Sequence, residues 1–223
     1  MAVGRLRTAI GALVVALAAG AAVALPAAEA EAAGARGGNV VYLTFDDGPS
    51  PAHTPKALAA LARYGVRATF FEIGQNVAAH PWLTAQVAKQ GHSVQNHSWS
   101  HPDLRKLSAS ALNAQVADTD RAIRAQTGRT PTCLRPPYGA VNSTVRSKAA
   151  ALGKQVVLWS VDPADWSRPG TAAIRSRVLD KVRPGSVILL HDGGGDRSQT
   201  VAALPAIIST LKARGYGFAT LCG

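Results

Sequence analysis

Residues 43–48 read Leu-Thr-Phe-Asp-Asp-Gly, and residues 97–101 read His-Ser-Trp-Ser-His. One carboxylate and two imidazoles could hold a divalent cation, and the second carboxylate stays free to handle a proton. That is the minimum kit for metal-assisted hydrolysis. His97 and His101 stand four apart, a spacing that one helical turn places on one face and that suits two nitrogen ligands of zinc. Asp47 would be the third ligand. Three protein ligands leave positions open for water and substrate, the mark of a catalytic rather than a structural site. Consecutive residues leaving a strand point different ways, so one carboxylate of the pair can bind a metal while its neighbour faces the substrate. The plainer readings are that Asp-Gly-Pro is common turn chemistry, and that one histidine is core and the other surface.

Three further motifs carry chemistry. Arg135-Pro136-Pro137-Tyr138-Gly139 is stiffened by two prolines. Such a loop can hold Arg135 toward an acid and aim the Tyr138 N–H at a developing oxyanion. Asp162-Pro163-Ala164-Asp165-Trp166 brings two acids and an indole, enough for an orienting ion pair and an apolar wall. Leu189-Leu190-His191-Asp192 ends an apolar run and places His191 to give a proton to a leaving group. The following Gly193-Gly194-Gly195 reads as a flexible loop. It lacks the Lys-Ser/Thr ending of a phosphate cradle. His53, His80 and His92 have no partner pattern and read as structural or surface residues.

The elements that must position these motifs alternate. Strands are expected over 40–45, 68–73, 93–95, 132–134, 155–160, 186–190 and 218–221. Helices are expected over 55–64 (capped by Thr54), 82–90, 108–127, 143–152, 171–182 and 200–214. Leu112, Val116 and Ile123 share one face of the longest helix. This alternation argues for a parallel sheet with helical crossovers, and for a barrel rather than an open sheet. Asp46, Asp47, His97, Arg135, Asp162 and His191 each follow a strand end. In a β/α barrel those ends share the face where active sites lie.

Composition narrows the classes. Arg5 and Arg7, an unbroken small and apolar run over 9–25, and small-x-small triplets around Glu29 and Glu31 read as a secretory leader over 1–32. A disordered stretch over 33–38 and one domain over 39–223 would follow, with no membrane anchor once the leader is cleaved. Net charge is +11, and removing two Arg and two Glu with the leader leaves it unchanged. The basic residues are scattered and show no aromatic interleaving, which argues against nucleic-acid binding and for a basic surface near an anionic wall polymer. Of 13 acidic residues, five (Asp46, Asp47, Asp162, Asp165, Asp192) sit in short motifs, which points to chemistry. The two cysteines, Cys133 and Cys222, imply in an exported protein one disulfide pinning the C-terminus beside the Cys133 strand.

Taken together and in order, Thr44–Gly48, His97–His101, Arg135–Tyr138, Asp162–Trp166 and Leu189–His191 resemble the polysaccharide deacetylases of carbohydrate esterase family 4, the NodB-homology fold. The resemblance spans about residues 40–221 and shows no departure at a catalytic position. It implies an α/β fold, a distorted (β/α) barrel of about seven strands in a single domain. It implies that Asp47, His97 and His101 bind a divalent metal, zinc or alternatively cobalt. Asp46 would be the general base for the attacking water, and His191 the general acid for the leaving group. Arg135 would orient Asp46. Asp165 would tune His191 or tether Arg135, with Asp162 an alternative for that role. Trp166 and Leu189 would line the acetyl pocket, and the Tyr138 N–H would help hold the oxyanion. The implied protein is a secreted monomer acting on N-acetylglucosamine units of chitooligosaccharides or peptidoglycan. An acetylxylan esterase would use the same residues. A non-catalytic carbohydrate-binding protein with a metal clip would need neither Asp46 nor His191.

Overall fold

The computed structural model describes residues 38–223, with Met1 and Ala2 at the start of the chain. All of the leader expected over 1–32 except Met1 and Ala2, and all but the end of the stretch over 33–38, lie outside the described residues. Among the described residues no helix is long and apolar enough to cross a membrane.

Among the described residues seven strands and seven α-helices follow one another, in alternation except for two consecutive helices between the second and third strands. The strands are β1 (Val40–Asp46), β2 (Thr69–Glu72), β3 (Ser93–Asn96), β4 (Cys133–Leu134), β5 (Gln155–Val156), β6 (Val187–His191) and β7 (Gly217–Phe218). The helices are α1 (Thr54–Arg63), α2 (Gly74–Ala79), α3 (Pro81–Lys89), α4 (Ala109–Thr127), α5 (Ser143–Ala151), α6 (Thr171–Lys181) and α7 (Ser198–Ala213). Every pairing is parallel, in the order β5-β4-β3-β2-β1-β6, with β7 against the start of β1. β1 lies between β2 and β6 and is buried over its last four residues, as expected of a parallel strand covered on both faces. Phe45 stacks on Phe70 at 5.0 Å between ring centroids. Leu43, Leu58, Leu61, Ile188, Ile207 and Leu211 join them in the main core. Each such side chain contributes about 1.5–3 kcal/mol by leaving water. A second cluster seats α4 and α5 on β4 through Leu112, Val116, Leu134 and Val145. The sheet curls as a distorted (β/α) barrel.

The distortion has a local cause. A strand is expected to run through 155–160, yet β5 ends at Val156. The carbonyls of Val157 and Leu158 turn inward and accept from the Arg135 guanidinium, at 3.4 and 3.2 Å. The chain regains the sheet only at Val161, in a single parallel bridge to Ile188 on β6. A buried cation has therefore taken the acceptors that a regular ladder would have used. The start of α1 also differs from expectation. His53 precedes the helix without a side-chain cap, and Thr54 is its first residue. The Thr54 hydroxyl accepts from the Ser50 N–H at 2.7 Å and donates to Asp192 at 2.5 Å, so it braces the site instead of capping. The short helix α2 was not expected, and β7 is shorter than the strand expected over 218–221.

Cys133 and Cys222 form a disulfide across 89 residues, a loop whose closure lowers chain entropy enough to contribute about 4 kcal/mol. It holds the C-terminal segment against β3 and β4. Beside it, at the end of the barrel away from the strand C-termini, lies a cavity of about 810 Å³ with Arg67, Lys89 and Arg129 in its lining. Two of its polar groups are spent on that segment: Gln95 Nε2 and Thr132 Oγ1 both donate to the Cys222 carbonyl.

Candidate active site

Parallel register brings the chemistry to one edge. Asp46 ends β1 and pairs with His191 at the end of β6. Glu72 pairs with Asn96, and Asn96 with Leu134, so His97 and Arg135 leave neighbouring strands side by side. Arg135 N–H donates to the Asn96 carbonyl at 3.0 Å.

His97 and His101 do meet on one side, but not through a helical turn. Residues 97–103 form a loop bent by left-handed backbone at Ser98 (φ 66) and His101 (φ 59). Ser98 N–H donates to Asn96 Oδ1 and His101 N–H to Ser98 Oγ. Gln115 on α4 accepts from both Trp99 and Ser100 N–H groups, each at 2.9 Å. The first amides of α2 donate to the Ser98 and Trp99 carbonyls at 3.0 Å. The loop's donors and acceptors are thus met by side chains and a helix start, which frees it from helical geometry. Asp47 (φ 71) and Tyr138 (φ 61) are left-handed too. Such conformations cost of order 1–3 kcal/mol each and cluster where surrounding structure over-determines them.

Asp47 Oδ1 lies 3.4 Å from His97 Nε2 and 3.3 Å from His101 Nε2. His97 Nδ1 lies 2.7 Å from the Arg135 carbonyl, which can only accept. The proton is therefore on Nδ1, and the Nε2 lone pair faces Asp47. Burial, aided by the charge of His97, holds His101 below the usual histidine range, against the pull of Asp47. Burial pushes the Asp47 carboxyl up, but whenever His97 is protonated its hydrogen bond and charge outweigh this, with His191 and His101 adding, and hold the carboxyl well below the usual carboxylate range. Its Oδ1 is buried without a hydrogen-bond partner. Two neutral imidazoles and a carboxylate oxygen converging on one point fit a divalent cation of borderline softness. Among the described residues this is the one such grouping.

Asp46 is buried beside this set, its Oδ2 3.8 Å from His97 Nε2. Its Oδ1 accepts from Arg135 Nη1 at 2.7 Å. Arg135 is fully buried, donates also to Thr44 Oγ1 at 2.8 Å, and packs over the Phe71 ring at 4.1 Å. Across the site, His191 Nδ1 meets Asp165 Oδ1 at 2.7 Å. Asp165 Oδ2 accepts from His191 N–H and from Thr200 Oγ1, both at 2.8 Å. Burial lowers the His191 pKa, but the hydrogen bond and charge of Asp165 more than reverse this and leave it raised. Asp165 thus reaches His191 and Arg135 reaches Asp46. Asp162 reaches neither, its Oδ1 accepting from Ala164 N–H at 2.6 Å within its own turn.

Leu189 is buried, while Trp166 and Tyr138 are exposed. The Tyr138 ring packs edge-on against His101 at 4.6 Å. Further residues support these groups, and of them only Asp192 lies in a motif that the sequence marks. Glu72 is fully buried on Thr84 at 2.6 Å; burial pushes its pKa up to about 8, against the Thr84 bond and aided by the charge of Asp192. Asp192, held by Thr54, is pushed up to about 7 by burial, with the Thr54 bond opposing and Asp47 and Asp46 adding. Gln115 and Arg197 are two more. Gln115 meets partners 15 and 16 residues away and Arg197 reaches Trp166 31 residues away, and no local pattern marks either.

A family model described as polysaccharide deacetylase matches residues 33–157. A peptidoglycan-N-acetylglucosamine deacetylase of Bacillus cereus is 42% identical over 184 residues, covering 82% of this chain and 86% of that protein. A chitooligosaccharide deacetylase of Sinorhizobium fredii is 46% identical over 187 residues, covering 79% of this chain and 87% of that one. The solved structure of a family 4 carbohydrate esterase from Streptomyces lividans in complex with acetate superposes with a TM-score of 0.77 at 40% identity, over 82% of this chain and 92% of that chain. By family match, by relatives and by superposition, the chain belongs to the polysaccharide deacetylases of carbohydrate esterase family 4.

Proposed function

We propose that this protein is an exported, metal-dependent deacetylase that hydrolyses the N-acetyl groups of N-acetylglucosamine units in chitooligosaccharides or peptidoglycan. The observation that carries the reading is the convergence of two imidazole nitrogens on one unpartnered oxygen of Asp47, flanked by Asp46 on one side and His191 on the other. The relatives named for both substrates support it. The disulfide fits an oxidising compartment outside the cytoplasm.

Asp47, His97 and His101 would hold the metal, zinc by donor set with cobalt as an alternative. A divalent metal there supplies Lewis acidity to water and to the acetyl carbonyl. The chain's own residues do the rest. Asp46, fixed by Arg135, takes a proton from the attacking water. Water oxygen bonds to the acetyl carbon, and the carbon–nitrogen bond breaks. His191, kept protonated by Asp165, gives its proton to the departing nitrogen, so that free amine and acetate leave. The Tyr138 N–H donates toward the carbonyl oxygen as charge develops there. Trp166 and Leu189 wall the acetyl methyl from water. The test is acetate release from chitooligosaccharides, peptidoglycan fragments and acetylated xylan in parallel. Release from the first two supports N-deacetylation. Release from xylan alone would make the protein an O-deacetylase.

A further inference from the structure

Of three consecutive glycines, Gly193 and Gly194 stand immediately behind Asp47, and Gly195 follows against Arg197. An added Cβ on Gly193 would meet the Asp47 carbonyl oxygen at 2.0 Å, and one on Gly194 would meet the Asp47 carboxylate at 2.4 Å. The backbone itself is therefore the wall against which the carboxylate rests. Gly194 lies at φ 71 and Gly195 at φ 135, conformations natural to glycine. Three glycines in a row also carry the largest backbone freedom of any sequence. A wall of this composition needs something to fix it.

Arg197 meets that need. Its side chain is buried, and its guanidinium is spent on carbonyls. Nε donates to Gly193 O at 2.7 Å, Nη2 to Gly194 O at 2.8 Å and Nη1 to Trp166 O at 3.2 Å. Its own N–H donates to His53 Nε2 at 3.2 Å. The adjacent Asp196 pairs with Arg168 at 2.9 Å. We infer that Arg197 is a positioning residue that fixes the glycine wall behind Asp47 and ties it to the Trp166 segment, so that the metal-ligand carboxylate and the acetyl pocket are set by one side chain. The three carbonyls are met by three different nitrogens of one planar fork, a spread that the three hydrogens on the single nitrogen of a lysine ammonium do not match. Losing the fork strands the buried Gly193 carbonyl and unties the part-buried carbonyls of Gly194 and Trp166.

The inference rests on the metal-site reading, and its test keeps the two apart. Arg197→Met and Arg197→Lys are compared with the wild type for zinc affinity, by competition with a chromogenic chelator, and for kcat/KM. Groups that orient a metal ligand are worth about 10–100-fold in affinity. Arg197→Met is expected to weaken zinc binding about tenfold. It should also lower kcat/KM at saturating zinc, because Trp166 is released as well, and Arg197→Lys should fall between. Folded variants that melt earlier but bind zinc and turn over like wild type would overturn the inference and leave Arg197 a stability residue. Wild-type protein that binds no zinc would sink the functional reading, and the inference with it. Should the variants not fold, nitrogen-15 spectra of the wild type decide. A slowly exchanging Arg197 Nε–H supports the tie, and one exchanging as freely as that of exposed Arg63 overturns it.

Discussion

Two charge pairs stand at the ends of the paired strands β1 and β6, where Asp46 and His191 are register partners, and they are built in opposite senses. In the Asp46–Arg135 pair the fixed partner is a cation that does not titrate in the working range, and the working group is the carboxylate. In the His191–Asp165 pair the fixed partner is the carboxylate and the working group is the imidazole. Arg135 supports an acceptor of protons, and Asp165 supports a donor. The fold separates base from acid by choosing which member of each pair is permanent. The pairs also differ in depth. Arg135 and Asp46 side chains are 0% and 3% exposed, whereas His191 is 11% exposed. The base is locked in the sheet, and the acid keeps a face open to substrate.

The contrast is broken most severely at the base. Asp46→Asn removes the acceptor while leaving Asp47, His97 and His101 intact. Acetate release should fall by about 10²–10⁴-fold, with zinc content unchanged by metal analysis. A parallel loss of metal would mean that Asp46 is a ligand and not the base.

Arg135→Gln attacks the same pair from its permanent side and should read out first in stability. Leaving Asp46 buried without its cation costs about 3–5 kcal/mol, or about 6–20 °C in Tm for a domain of this size. Calorimetry checks it. A drop of a degree or two would show that water reaches the pair.

Asp165→Asn should instead move a pH profile. Asp165 raises the His191 pKa above the ordinary histidine value, so wild-type kcat/KM should hold past that value and decline as pH rises through the raised pKa. The variant's alkaline limb should shift to lower pH, with about a tenfold loss near pH 8 for each pKa unit removed. The same linkage adds stability that is complete below the unfolded histidine pKa and is lost as pH climbs through the folded one. An unmoved alkaline limb would take His191 out of the acid role.

The smallest effect lies behind the site. Glu72 is raised from 4.5 to about 8, so between those values the unfolded chain ionises it and the folded protein does not. Stability should therefore decline as pH rises across that window. Glu72→Gln should flatten the decline and raise Tm at pH 8, by about 2–4 °C per kcal/mol relieved. Identical melting profiles for the two proteins would show that Glu72 is ionised in the fold.

Parts of this contrast were legible in the sequence. Asp46, Asp47, His97, Arg135 and His191 each end a strand or directly follow one, and parallel register carries them to one edge. The proximity of His97 and His101 followed from their spacing for the wrong reason. A loop with two left-handed residues, braced by Gln115, does what a helical turn was expected to do. The choice between Asp162 and Asp165 was not legible. Both sit in one turn, and only tertiary packing decides which one points at His191. β5 was overlong in expectation because residues 155–160 look like a strand locally, whereas Arg135, about twenty residues earlier, takes their carbonyls. Arg197 read as one more scattered basic residue, since the carbonyls it holds belong to a loop that was expected to be merely flexible.

The most direct single measurement is acetate release from chitooligosaccharides by protein stripped of metal and then given one equivalent of zinc. Activity that vanishes on stripping and returns with zinc is the predicted result. Turnover that survives stripping, or zinc that binds without restoring acetate release, would contradict a metal site at Asp47, His97 and His101 that serves deacetylation.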